Sequence, residues 1–284
     1  MKKLLLSAFV ICLAGTSIAQ ESPLWMRHCA LSPDGTTIAF TYKGDIYTVP
    51  STGGRATQIT TNPAFDTEPV WSPDSKQIAF ASDRMGSLDV FVVSSEGGAP
   101  QRLTTHSGSE KPVAYKDNKH ILFTANIAPS AEDAGFPSGQ FQQVYEVAVT
   151  GGRPAMFSSM PMECISINKE GVMLYQDKKG YEDYWRKHQV SPIARDIWTY
   201  TPGKKPVYQK QTTFGGEDRE PVWSPDGKSF YYLSEEKGSF NIFQRTPGTT
   251  TSQQITFHTK HPVRFLSIST TGTLCYGYDG EIYT

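Results

Sequence analysis

An all-β, six-bladed propeller is the fold this sequence predicts, on three observations. A unit of about 40 residues recurs along the chain, headed by S-P-D-G or a variant of it. Each unit holds four short runs rich in β-branched and aromatic residues, separated by turn residues. No stretch sustains a helical period.

The clearest copies start at Leu31 (LSPDGTTIAFTYKGDIYTVPSTGGRATQIT), Trp71 (WSPDSKQIAFASDRMGSLDVFVVSSEGGAPQRLT) and Trp223 (WSPDGKSFYYLSEEKGSFNIFQRTPGTTTSQQIT). Weaker copies run from Ala114 (AYKDNKHILFTA) to QVYEVAVTGGRPAMFS, from Ile167 (INKEGVMLYQD) to RDIWTYTPGKKPVYQKQT, and from Ile268 (ISTTGTLCYGYDGEIYT). All parse alike. A first strand ends in the S-P-D-G turn, where Pro, Asp and Gly suit a tight reversal. An apolar second strand such as TIAFTY follows, then a turn into a DIYTV-type third strand. A Gly-rich turn leads to a short outer strand ending QIT or RLT. Asp45, Asp89, Asp196, Asn241 and Glu281 precede the third strands, where such residues cap turns. Ser82 to Arg84 are read as pairing within or between blades. One such unit cannot bury both faces; stacking units round an axis does. A linear solenoid is the alternative, but its repeats are usually shorter.

The sixth unit stops after DGEIYT, so its blade is expected to be incomplete and Thr284 to be a truncation point. The alternative is that Gln20 to Met26 supply the missing strand, although Pro23 interrupts that segment.

Lys2 and Lys3, the apolar run from Leu4 to Ala14 and the small residues of SIAQ form a Sec-type signal peptide over residues 1–19. The propeller would then occupy residues 20–284 of an exported chain, periplasmic or secreted. No other apolar run has the length of a membrane span. The net charge is −1, and loss of Lys2 and Lys3 makes it more acidic. With no basic block, nucleic acid is not an expected partner. Cys29, Cys164 and Cys275 form no C-x-x-C pair and are read as small buried strand residues. His28, His106, His188 and His261 lack ligand or triad spacing, so no cofactor or metal is expected.

At the S-P-D-G turn followed by IAFASDR and LDVFVV, the chain resembles the propeller units of tricorn-type proteases and of the Tol-system periplasmic propeller. FPSGQFQQVYEV in blade three and KKGYEDYWRKHQVSPIARDIW in blade four resemble the N-terminal six-bladed propeller of secreted bacterial tricorn-like serine peptidases. That resemblance implies a peptidase parent whose catalytic residues lie in another region. It implies a non-catalytic module that gates or recruits peptide substrates and contacts other domains of the same peptidase. No G-x-S-x-G, H-E-x-x-H or P-loop motif appears. A free-standing periplasmic protein-binding propeller is the alternative, and a propeller enzyme with its own chemistry the weakest reading. Association with a second copy is left open.

Two groups of candidate site residues follow. Glu68, Glu110, Glu163 and Glu220 recur just before the S-P-D-G position, with Arg27, His28 and Arg264 near the same level. A ring of acids on a narrow axis would favour cationic solutes. The competing reading is that these carboxylates accept bonds from backbone N–H groups or arginines of neighbouring blades. The repeat spacing exceeds 50 residues in blades three and four, placing insertions at residues 128–142 and 177–195. The second holds Tyr181, Tyr184 and Trp185 beside Arg186 and Arg195, a composition suited to an interface with a partner or another domain.

Overall fold

The computed structural model describes residues 25–127, 142–180 and 190–284. Within them lie twenty-three strands and no helix. The strands form six antiparallel sheets in chain order. Blade one holds β1 (Arg27–Leu31), β2 (Thr37–Tyr42), β3 (Asp45–Pro50) and β4 (Thr57–Gln58). Blade two holds β5 (Asp66–Trp71), β6 (Gln77–Ser82), β7 (Asp89–Ser94) and β8 (Gln101–Arg102). Blade three holds β9 (Glu110–Asp117), β10 (His120–Ala125), β11 (Gln143–Ala148) and β12 (Ala155–Ser158). Blade four holds β13 (Met162–Ile167), β14 (Met173–Asp177), β15 (Ile197–Thr201) and β16 (Val207–Lys210). Blade five holds β17 (Asp218–Trp223), β18 (Phe230–Ser234), β19 (Asn241–Arg245) and β20 (Ser252–Gln254). Blade six has three strands, β21 (Arg264–Ile268), β22 (Leu274–Tyr278) and β23 (Glu281–Tyr283).

The core is six interfaces, one per blade seam. Successive side chains of a strand point to opposite sheet faces, so each middle strand feeds two seams. On β6, Ile78 and Phe80 pack on Ala39 and Ile46 of blade one, while Ala79 joins Ile121 and Phe123 of blade three. Trp71 and Trp223, the aromatic heads of two S-P-D motifs, reach back one blade and donate Nε1–H to Ala30 O (2.8 Å) and Val172 O (3.1 Å). In the turns, Ser32, Ser72 and Ser224 donate to Asp34, Asp74 and Asp226 (2.5, 2.7 and 2.7 Å). These bonds hold all three carboxyls below their ordinary range.

The threonine closing QIT or RLT caps the third strand. Thr60, Thr104, Thr212 and Thr256 accept from the N–H of Ile46, Val90, Ile197 and Ile242 (2.9–3.0 Å). Thr60 and Thr256 also donate to Asp45 and Asn241, which ties the polar residue before the third strand to its own blade. Arg84 of the S-D-R stretch pairs with buried Asp66 at 2.9 Å.

One backbone bond recurs where the inner strands of five blades meet the preceding blade. Asp66, Glu110, Asp218 and Val263 donate N–H to Gly44, Leu88, Arg195 and Phe240 (2.7–3.0 Å). Met26 makes the same bond to Gly280 (3.1 Å), and Leu31 N–H reaches Ser267 Oγ (3.0 Å). Blade six therefore meets blade one by the packing used at the other seams. Trp25 and Met26 belong to no strand, and residues 20–24 lie outside the described residues, as does the segment read as a signal peptide.

The inner strands also bulge. Their pairing slips by one residue early in blades one, two, four, five and six, and at two points further along in blade three. At the slip stand His28, Glu68, Cys164, Glu220 and Phe265, all left-handed with φ between 50° and 59°. Such backbone costs on the order of 1–3 kcal/mol per residue, and a bulge re-aims the side chains around it.

Candidate functional site

The inner strands enclose a central cavity of about 660 Å³. Left-handed His28, Glu68, Cys164, Glu220 and Phe265 all line it. Lys111, Glu163, Gln176, Lys178 and Arg195 complete its polar wall.

Glu68 accepts from Lys111 Nζ of the next blade at 2.5 Å. Glu163 meets three donors, Gln176 Nε2 (3.0 Å), Lys178 Nζ (3.1 Å) and Arg195 Nε (3.2 Å). Burial opposes its ionisation, but Arg195 and Lys178 outweigh burial and hold the carboxyl below its usual range. Glu220 accepts from Leu266 N–H across the seam to blade six (2.8 Å), and its own N–H donates to Gln176 Oε1 (2.9 Å). Arg195 continues to Glu217 (3.5 Å), which holds Arg219 (2.9 Å). Three carboxylates thus face three cations, and the wall is charge-balanced where an acidic ring was expected.

Position along the inner strand explains the difference. Counted by pairing, Glu68 and Glu220 are the third residue after the seam bond, Glu163 the second and Glu110 the first. Glu110 is 1% exposed in the seam between blades two and three. There it accepts from His106 N–H (3.2 Å), faces Asp89 and does not line the cavity. Arg264 and Arg27 line a second cavity, at the seam of blades six and one.

Sequence reasoning passed over Lys111, Gln176, Lys178 and Glu217. Lys111 had a signal: in SEKPV the residue before proline is lysine, where TEPV and REPV carry Glu68 and Glu220. Arg195, grouped in sequence with the loop aromatics, is 5% exposed and belongs to the cavity wall. Its four companions, Tyr181, Tyr184, Trp185 and Arg186, lie outside the described residues, as do 128–141 of the other insertion. Both insertions join a second strand to a third, so both leave the ring on the face that carries the blade-to-blade connectors.

Reactive chemistry is poorly served by this wall. Burial pushes the Cys164 thiol well up, and Glu220 and Glu163 push it further, so it is no thiolate near neutrality. Thr67 Oγ1 lies 3.1 Å from His28 Nδ1. Yet Thr67 is 2% exposed, and burial lowers His28 to about 4, which makes it a weak base. Cys29, Cys164 and Cys275 are free cysteines, Cys29 and Cys275 fully packed at the closing seam. Among the described residues no three His, Cys, Asp or Glu side chains form a metal-holding group. No helix there is long and apolar enough to cross a membrane.

A six-bladed propeller around a polar, charge-balanced cavity is the class that this geometry defines. The chain belongs to a particular family within it: residues 23–284 match the tricorn protease N-terminal beta propeller domain. It is 39% identical over 213 residues to tricorn protease homolog 1 of Streptomyces coelicolor, covering 74% of this chain and 19% of that protein. It is 34% identical over 218 residues to an uncharacterised protein of Agrobacterium fabrum, covering 72% and 68%. The crystal structure of the tricorn protease superposes with a TM-score of 0.76 at 17% identity, over 92% of this chain and 25% of that one. At that identity the likeness speaks to the fold. The chain spans about a fifth of the Streptomyces relative and a quarter of the tricorn protease chain.

Proposed function

We propose that this chain is the propeller module of an exported tricorn-like serine peptidase, and that it admits or recruits peptide substrates through the central cavity. Proteolysis belongs to other domains of the parent. The observation that carries the reading is the family match over residues 23–284. The wall adds a physical rationale: Glu68 with Lys111 and Glu163 with Lys178 are partly exposed pairs that can exchange partners with a peptide's charged groups.

Exposed apolar side chains support contact with further domains. Trp25, Phe65, Met85, Met160, Val190 and Phe257 are exposed, and all sit on the connector and insertion face. Among the described residues, the large exposed apolar side chains off this face lie on strands, none of them in the S-P-D-G turns.

The test removes two of the three cations. With Lys111→Ala and Lys178→Ala, Glu68 loses its ion-pair partner, Glu163 keeps only Arg195 of its two, and the cavity turns acidic. Cationic peptides should then bind several-fold tighter at low salt, with a steeper salt dependence. Unchanged affinity and salt response, with the thermal midpoint retained, would remove the cavity from peptide recruitment.

A second reading is a free-standing periplasmic binding propeller. The Agrobacterium relative favours it, since the match covers 68% of that protein. The two readings separate on the mass of the native protein in a cell extract.

A further inference from the structure

We propose that the seam of blades six and one holds a second binding site, specific for a small carboxylate that carries an aromatic or branched apolar group. The cavity there measures about 430 Å³, within the range of small-molecule pockets. It opens on the connector face, and Phe265 separates it from the central cavity, lining both.

The space exists because one side chain is missing. One position of each inner strand, the first residue in blades one and six and the second in the others, pairs with a fixed position on the next strand. Arg27 faces Thr41, Thr67 faces Ala81, Lys111 faces Thr124, Glu163 faces Gln176 and Arg219 faces Leu233. In blade six Arg264 faces Gly277. Gly277 is not among the left-handed glycines, so its backbone does not demand glycine. A Cβ there would stand 3.0 Å from the Phe265 ring. The absent side chain is what keeps this cavity open.

Its chemistry is two-sided. Trp25, Phe265 and Tyr278 supply flat apolar walls, with Trp25 70% exposed. Arg27 and Arg264, from adjacent inner strands, both line this space, with the Arg27 guanidinium 5.6 Å from the Trp25 ring centre. Asp279 is the acid on the rim, and His261 Nε2 lies 3.4 Å from it. Guanidinium groups bind carboxylates in bidentate fashion, and arginine stacks on aromatic faces. The two arginines favour an anion, and the walls favour its apolar body. The same chemistry occurs in a free aromatic acid and at the C-terminus of a peptide.

Calorimetry on the purified chain tests the site with N-acetylphenylalanine, its amide, and the tripeptide Ala-Ala-Phe. The acid should bind and the amide should bind at least about tenfold more weakly, since the charged contact is lost. Arg264→Gln and Arg27→Gln should each lower affinity for the acid by about tenfold. Gly277→Val should abolish binding by filling the space, while Lys111→Ala, in the central cavity, should leave it unchanged. Binding of the tripeptide equal to that of the acid assigns the site to peptide C-termini; binding of the small acid alone assigns it to free aromatic acids. Three outcomes overturn the proposal: no binding of either acid, equal binding of acid and amide, or wild-type affinity in both arginine variants. Thermal midpoints within a few degrees of wild type certify that each variant is folded. Because Lys111→Ala separates the two cavities, failure here leaves the proposed recruitment role standing.

Discussion

Glu110→Gln should make the protein more stable above neutral pH and less sensitive to pH. Glu110 opens β9 in the seam of blades two and three, beside Asp89, which opens β7 and is 0% exposed. Arg102 meets Asp89 Oδ2 at 2.8 Å. Among the described residues, Glu110 Oε1 and Asp89 Oδ1 have no hydrogen-bond partner. Burial, with Asp89 adding, raises Glu110 from 4.5 to about 7, against bonds from Thr104 and His106 that favour its charged form. The folded state therefore holds a proton that the unfolded chain releases between pH 4.5 and about 7. Its stabilisation is complete below 4.5 and is lost as pH rises through about 7. At about 1.4 kcal/mol per unit, that shift is worth on the order of 3 kcal/mol.

Glutamine carries a permanent N–H where the shared proton sits and can still accept from His106. Urea unfolding at pH 5.5, 7 and 8.5 reads the effect. The variant should match wild type at pH 5.5 and exceed it by about 1–3 kcal/mol at pH 8.5. In thermal midpoint that is roughly 3–10 °C for a domain of this size. Asp218, buried and raised to about 7 at the seam of blades four and five, supplies a further slope of the same sign. A variant that is less stable than wild type at pH 8.5, or whose pH slope is unchanged, would refute the shared-proton account.

Thr104→Val should lower stability by about 1–3 kcal/mol, because the Val90 N–H loses its 2.9 Å acceptor in a buried seam. Thr104→Ser should recover most of that, and equal losses in both variants would mean the methyl group matters more than the bond. His28 should titrate near 4 by NMR, since burial resists its charged form. Its depressed value means stability falls as pH drops below the ordinary 6.5, and a midpoint near 6.5 would show the cavity to be wetter than its packing implies.

Blade architecture was legible in sequence because it is local. S-P-D-G fixes a turn through its own serine–aspartate bond, and the unbroken run IAFAS, buried at every residue, marks a strand packed on both faces. The count of six, the three-stranded last blade and the insertions all follow from repeats that each chain segment specifies alone. Even the threonine of QIT was visible as a repeat, although its bond to the third strand was not.

Which side chains share a cavity was a different matter. Glu68, Glu110 and Glu163 look equivalent in the sequence, yet the structure puts two in the cavity wall and one in a seam. They stand at different positions along the inner strand, and pairing with the second strand decides which position faces the axis. Lys178 and Arg195 reach Glu163 from the two ends of an insertion, a meeting that no periodicity encodes. Gly277 shows the same limit. The sequence states that a glycine is there; only the strand pairing shows that it stands where the five other blades carry a side chain, and that the space it leaves lies between two arginines. Local chain chemistry determined the repeat, and the closing of the ring decided which residues meet.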